Sequence, residues 1–156
     1  MSCVLSLGRT PLLRRILALI AGLSLVYSVA ASEADSSRGD VIPRLPDTYP
    51  GDPIKGRLIV IDRQQGFCLL CHSGTFSVSL QQGNLAPSLD GAGNRWSPEQ
   101  LRARLIDSKK LNPHSIMPAY GLVNPAPMIA QRYQNQAILT PQQIEDVVAF
   151  LSTLKD

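Results

Sequence analysis

The sequence predicts an all-α domain of three main helices joined by long loops and closed around something other than its own side chains. Three observations predict it. Proline-headed caps open apolar stripes of helical period at three places along the chain. No segment alternates apolar and polar residues with a period of two for long enough to make a sheet. The loops between the helical stretches are unusually long and rich in Gly and Pro.

The chain has 156 residues, room for one small domain and a targeting segment. Arg9, Arg14 and Arg15 form a basic start, an apolar run follows from Ile16 to Tyr27, and small residues continue from Ser28 to Ser32. That layout predicts a secretory signal peptide over residues 1–30, cleaved after Ala30 and directing the chain to the periplasm. The alternative is an uncleaved anchor, for which the run is short of the roughly 20 residues that span a bilayer. Three of the fifteen basic residues lie in that leader, where no acid occurs, so the remainder carries twelve of each sign. A balanced domain offers no electrostatic footprint for nucleic acid and no polybasic membrane patch.

Residues 31–51 lack apolar periodicity and carry Pro43, Pro46 and Pro50. They read as an extended arm or linker, free or laid along a partner subunit. The domain proper spans 52–156. Asp52-Pro53 is an N-cap and first-turn pair, Ile54, Leu58 and Ile61 recur at helical spacing, and Gly66 can close that helix. Ser97-Pro98-Glu99-Gln100 is a capping box ahead of Leu101, Leu105 and Ile106. Thr140-Pro141-Gln142-Gln143 repeats it ahead of Ile144, Val147, Val148, Leu151 and Leu154.

Three short helices bury little apolar surface for a domain of about a hundred residues. The loops from Ser73 to Trp96 and from Leu111 to Leu139 exceed common lengths, and such loops usually serve something. A large flat apolar group inside would complete the core. Cys68-Leu69-Leu70-Cys71-His72 specifies it. Two thiols three positions apart can each add to a haem vinyl group, and the next residue is then placed to offer an imidazole to the iron. The cofactor is thus one covalently attached haem c, with Cys68 and Cys71 as thioethers and His72 as an axial ligand. A thioredoxin-like pair would want a βαβ pattern, which is absent, and zinc would need four ligands where the domain has Cys68, Cys71, His72 and His114. A structural disulfide leaves the adjacent histidine without a purpose.

For the second axial position the sequence offers Met117, Met128 and His114. Met117 lies in a loop stiffened by Pro113 and Pro118, which can present a thioether at small ordering cost, and it is favoured over the other two. Trp96 is read as covering a haem edge or propionate, or as a buried aromatic. Arg95, Arg102 and Arg104 are read as partners of propionates or of another subunit, or as solvated charges.

Beyond the motif, Ala86-Pro87-Ser88-Leu89-Asp90-Gly91, Arg95-Trp96, Met117-Pro118-Ala119-Tyr120 and Glu145-Asp146-Val147-Val148 complete a wider pattern. It resembles class I cytochrome c over roughly residues 50 to 155, and more narrowly the SoxX family, monohaem subunits of SoxXA sulfur-oxidation complexes. Gly121, where a second aromatic is expected, and the stretch from Leu122 to Gln136 depart from the pattern. The resemblance implies the class I cytochrome c fold, Met117 as distal ligand, and Pro87 as carbonyl acceptor for the His72 ring. It places Gly56 and Phe150 where the first and last helices cross. It also implies a SoxA-like haem subunit, a SoxYZ-like carrier and a downstream electron acceptor as partners. The implied reaction couples thiosulfate to a carrier cysteine, with this chain as the non-catalytic, electron-accepting subunit. A free-standing periplasmic electron shuttle and a haem-based sensor are the alternatives.

Overall fold

The computed structural model describes residues 40–76, 81–123 and 130–155. The expected signal peptide, the first part of the arm and Met128 lie outside the described residues. Among those described, every regular element is helical.

Helix α1 (Pro53–Ile61) starts where expected, with the Asp52 carboxylate accepting the N–H groups of Ile54 and Lys55 at 2.9 and 3.3 Å. It ends sooner than expected. Asp62 caps it, and the Asp62 carboxylate then takes the N–H groups of Gln64 and Gln65, which turns the chain before Gly66 is reached. The buried face of α1 is also a correction: Gly56, Ile59 and Val60 point inward, while Ile54 and Leu58 are 73% and 55% exposed. Five of its residues are large aliphatics, so periodicity alone does not choose a face. Close approach chooses it. A Cβ at Gly56 would stand 1.9 Å from the Asp146 carbonyl and 2.9 Å from the Phe150 Cβ, so the glycine is the crossing point with the last helix.

Two four-residue turns follow, α2 (Cys68–Cys71) and α3 (Ala92–Arg95). Helix α4 (Pro98–Asp107) and helix α5 (Pro141–Thr153) are the other two main helices, and both capping boxes close. Ser97 Oγ accepts from Gln100 N while Gln100 Oε1 accepts from Ser97 N, and Thr140 and Gln143 repeat the exchange. A 3₁₀ turn, Ser108–Lys110, continues directly from α4. Helix α5 packs against α1, α3 and α4, and its Ile144, Val147, Val148, Phe150 and Leu151 form much of the core.

Arg102 corrects a second expectation. It neither meets solvent nor lines the candidate site, but lies 4% exposed against Glu145, also 4% exposed, in a two-pronged ion pair of 2.7 and 2.8 Å. The described part of the arm has no regular structure, turns at Pro46-Asp47, where Asp47 takes φ 55°, and is not free. Ile42 N–H donates to the Glu99 carbonyl, Arg102 Nη1 to the Ile42 carbonyl, and Leu45 N–H to Glu145 Oε1. Tyr49 and Asp52 N–H groups end on Gln142 Oε1 and Asp146 Oδ1. The arm therefore straps across α4 and α5, held mainly through its backbone, with Asp40 accepting from Gln100 and Leu45 packed against the core.

Burial alone would raise the Glu145 carboxyl, but the bonds from Arg102 and from Leu45 N–H outweigh it and hold the group below the usual carboxylate range. Removing one member of such a pair leaves the other charge buried, so Glu145→Ala is expected to lose about 3–5 kcal/mol in denaturant unfolding at neutral pH. Because the folded carboxyl has the lower pKa, its contribution is complete above the unfolded value of about 4.3 and fades as pH falls below it. The wild-type unfolding midpoint should therefore drop more steeply than that of Glu145→Ala as pH falls below about 4.

Candidate haem-binding site

The C-x-x-C-H segment folds as the single turn α2, and one residue decides its orientation. Leu69 has no exposed surface and pins the turn to the core, which leaves Cys68, Cys71 and His72 half-buried around it. Phe67, just before the turn, takes the left-handed conformation at φ 57°. His72 N–H closes the turn on the Cys68 carbonyl at 2.9 Å, and the chain then leaves extended.

His72 Nδ1 lies 2.7 Å from the Pro87 carbonyl. A carbonyl only accepts, so Nδ1 carries the proton and Nε2 keeps the lone pair a metal would use. Pro87 is itself fixed from both sides, by Ala86 N–H on the Cys71 carbonyl and Leu89 N–H on the Ser73 carbonyl. Thr75 braces the same loop by donating N–H and hydroxyl to Asp90, which lowers the Asp90 carboxyl pKa.

Met117 stands in a loop whose backbone is tied at both ends. Its N–H donates to Ser115 Oγ at 3.2 Å, and its carbonyl accepts from Ser108 Oγ at 3.0 Å. Three residues on, Tyr120 is 2% exposed and its hydroxyl donates to the Gly66 carbonyl at 2.6 Å. Burial also raises the pKa of that hydroxyl, so it stays a donor at neutral pH.

Three cavities, of about 410, 260 and 30 Å³, each have both His72 and Met117 in their walls. Cys68 lines the two smaller ones and Cys71 the 260 Å³ one. The walls are otherwise mostly apolar, with Leu89, Leu101, Leu105 and Leu151 around the largest of the three. A cavity of about 440 Å³ reaches the other side of the Met117 loop but includes neither cysteine nor His72. His114 is exposed and lines none of these cavities. The residues present thus fit a flat apolar ring carrying a metal: two thiols at its edge, a free imidazole nitrogen, and a thioether sharing the same walls.

Trp96 is 37% exposed and lines the 410 Å³ cavity with Arg95 and Arg104. The Arg104 guanidinium sits 3.5 Å over the Trp96 ring, and Arg95 donates to the carbonyls of Asp90 and Ser88. Burial pushes the Cys68 thiol up to about 11, the opposite of the low-pKa nucleophile that thioredoxin-like chemistry requires. Sequence reasoning overlooked the pinning role of Leu69 and the hydroxyl bond of Tyr120. For Tyr120, the available signal was a phenol in an apolar setting, which needs a partner.

An all-α domain that turns a C-x-x-C-H segment toward an apolar cavity is the architecture of a haem c electron-transfer protein. The sequence matches the Cytochrome c family over residues 55–155, and the chain belongs to that family, whose haem is covalently bound. Within it the chain is SoxX-like. It is 37% identical to a chain of the crystal structure of SoxXA from P. pantotrophus, with a TM-score of 0.66, covering 76% of this chain and 91% of that one. It is also 32% identical over 89 residues to an uncharacterized lipoprotein of Aquifex aeolicus (strain VF5). That match takes in 56% of this chain and 36% of the lipoprotein, so the likeness spans about a third of that relative. Among the described residues no helix is long and apolar enough to cross a membrane.

The pinning of α2 has a measurable consequence. Leu69→Ala leaves the two cysteines and His72 in place but is expected to cost about 2–5 kcal/mol. Denaturant unfolding of matured protein checks this, with an unchanged absorption spectrum in the fraction that matures.

Proposed function

We propose that this chain is the electron-accepting subunit of a periplasmic SoxXA-like complex that oxidatively couples thiosulfate to a cysteine of a SoxYZ-like carrier. One observation carries the reading: His72 and Met117 wall the same cavities, so one metal held there could take a ligand from each. In this reading Cys68 and Cys71 hold a single haem c through thioethers, His72 holds its iron through Nε2, and Met117 holds it through sulfur. Haem c supplies one-electron oxidation and reduction when bound. The Pro87 carbonyl fixes the plane of the His72 ring, Ser108 and Ser115 hold the Met117 backbone, and the leucine walls exclude water.

The division of labour follows from the cysteines. The sequence has three: Cys3, which would leave with the signal peptide, and Cys68 and Cys71, which become thioethers. No thiolate then remains to make a sulfur–sulfur bond. The coupling joins the terminal sulfur of thiosulfate to the carrier's cysteine sulfur, breaks that cysteine's S–H bond, and releases one proton and two electrons. The bond forms on the SoxA-like partner. This chain takes the electrons one at a time and passes them to a downstream acceptor.

The rim of the site favours a lasting subunit contact over the free-standing shuttle. Its 260 Å³ cavity is lined by Phe67, Leu70, Ala86, Ile116 and Pro118, with no Lys, Arg, Asp or Glu. Around it Leu70, Leu85 and Ile116 are 41%, 73% and 75% exposed. Shuttles that meet many partners are steered by charge, whereas an uncharged apolar rim suits a contact that stays buried.

Co-expression with a SoxA-like haem protein is expected to give a complex that survives an about tenfold rise in ionic strength. That complex should couple thiosulfate to the carrier, and Ile116→Lys should weaken it. Coupling by the isolated chain, or a chain that stays monomeric beside the partner, contradicts the proposal. Met117→Ala is expected to let carbon monoxide bind the reduced protein at neutral pH, where the wild type does not. Binding by the wild type would favour the sensor instead.

A further inference from the structure

Tyr120 is anchored along its whole length. Its N–H donates to the Leu105 carbonyl at 2.9 Å and its carbonyl accepts from Leu139 N–H at 3.1 Å. Its ring is buried, and its hydroxyl reaches the Gly66 carbonyl, 54 residues away in sequence. Gly66 is equally immobile: a Cβ there would lie 2.2 Å from the Ile59 carbonyl. The Gly66 carbonyl belongs to the peptide that leads into Phe67, whose left-handed backbone persists only where its surroundings hold it. Cys68 Sγ also approaches that carbonyl, at 3.3 Å. A thioether has no S–H, so after haem attachment Tyr120 is the side-chain donor that remains.

We infer that Tyr120 is a positioning residue for the electron-transfer site. Its hydroxyl couples the loop that carries Met117 to the turn that carries Cys68 and His72, and so sets how firmly Met117 holds its place. The inference rests on the reading of Met117 as the distal ligand. The stiffness of Pro118, between Met117 and Tyr120, carries any slackening at Tyr120 back to the sulfur. A ligand that displaces Met117 must work against the brace, and removing the hydroxyl lifts that resistance while leaving the ring to fill its place.

The test uses matured protein in the ferric state and imidazole as the probe. Tyr120→Phe is expected to keep the weak far-red methionine–iron absorption band in the cold but to lose it at a lower temperature than the wild type. Its imidazole affinity should rise roughly three- to tenfold, as the loss of one buried hydrogen bond allows. Val148→Ala, a core change on α5 outside the cavities, should lower overall stability without that gain. An unchanged imidazole affinity in Tyr120→Phe, or an equal gain in Val148→Ala, overturns the brace. Independently of variants, the Tyr120 hydroxyl proton should exchange slowly in wild-type nuclear magnetic resonance spectra and lose protection when imidazole replaces Met117. Protection that survives replacement also overturns it. A wild type without the far-red band, matched by a Met117→Ala variant of unchanged imidazole affinity, sinks the ligand reading and the brace with it. A band and affinity that respond to Met117→Ala but not to Tyr120→Phe sink the brace alone.

Discussion

Two cysteines and a histidine within five residues can serve one flat ring only if the turn that holds them cannot rotate, and most of the site is built to stop that rotation. Leu69 drives into the core from inside the motif. Its carbonyl accepts Gly83 N–H at 2.9 Å, and a Cβ at Gly83 would stand 2.2 Å from the Leu70 carbonyl, so the following loop is laid directly on the turn. That loop continues to Pro87, whose carbonyl orients the His72 ring. The long connection after the motif is thus a second wall of the site, with Pro87, Ser88 and Leu89 lining its largest shared cavity.

The opposite wall is positioned by different means. Helix α5 turns two acids inward, Glu145 and Asp146, each 4% exposed. They are tolerated because each is hydrogen-bonded: Glu145 through both oxygens by Arg102 and Leu45, Asp146 through Oδ1 by Asp52 and Gln142. The result joins α4, α5, the arm and the start of α1 through one set of polar contacts, while apolar surface is kept for the cavities. A domain with so few aromatic side chains spends its interior on the cofactor and ties its periphery with hydrogen bonds.

What the sequence made legible was local. The two capping boxes, the Asp52-Pro53 start and the C-x-x-C-H turn are each written within five residues, and each forms as read. Features that depend on distant partners were not legible from residue patterns. The inward face of α1 is chosen by a glycine meeting a carbonyl on α5, not by the aliphatic spacing that suggested Ile54 and Leu58. Arg102 and Glu145 are 43 positions apart, and nothing near Arg102 distinguishes it from the exposed Arg95. The arm has no apolar period because most of its attachment uses backbone N–H and carbonyl groups, which leave little mark on side-chain composition. Pro87 and the Gly56 crossing were reached only through resemblance to a family; the Pro87 carbonyl lies 2.7 Å from His72 Nδ1.

The central claim is that a porphyrin bonded to Cys68 and Cys71 occupies the space that His72 and Met117 enclose. The most direct measurement is intact and peptide mass spectrometry of protein secreted from a host with working haem-attachment machinery. The account expects the mass of the leaderless polypeptide plus one haem, with both cross-links inside the peptide holding residues 68 to 72. A folded, well-ordered chain at the bare polypeptide mass would contradict it.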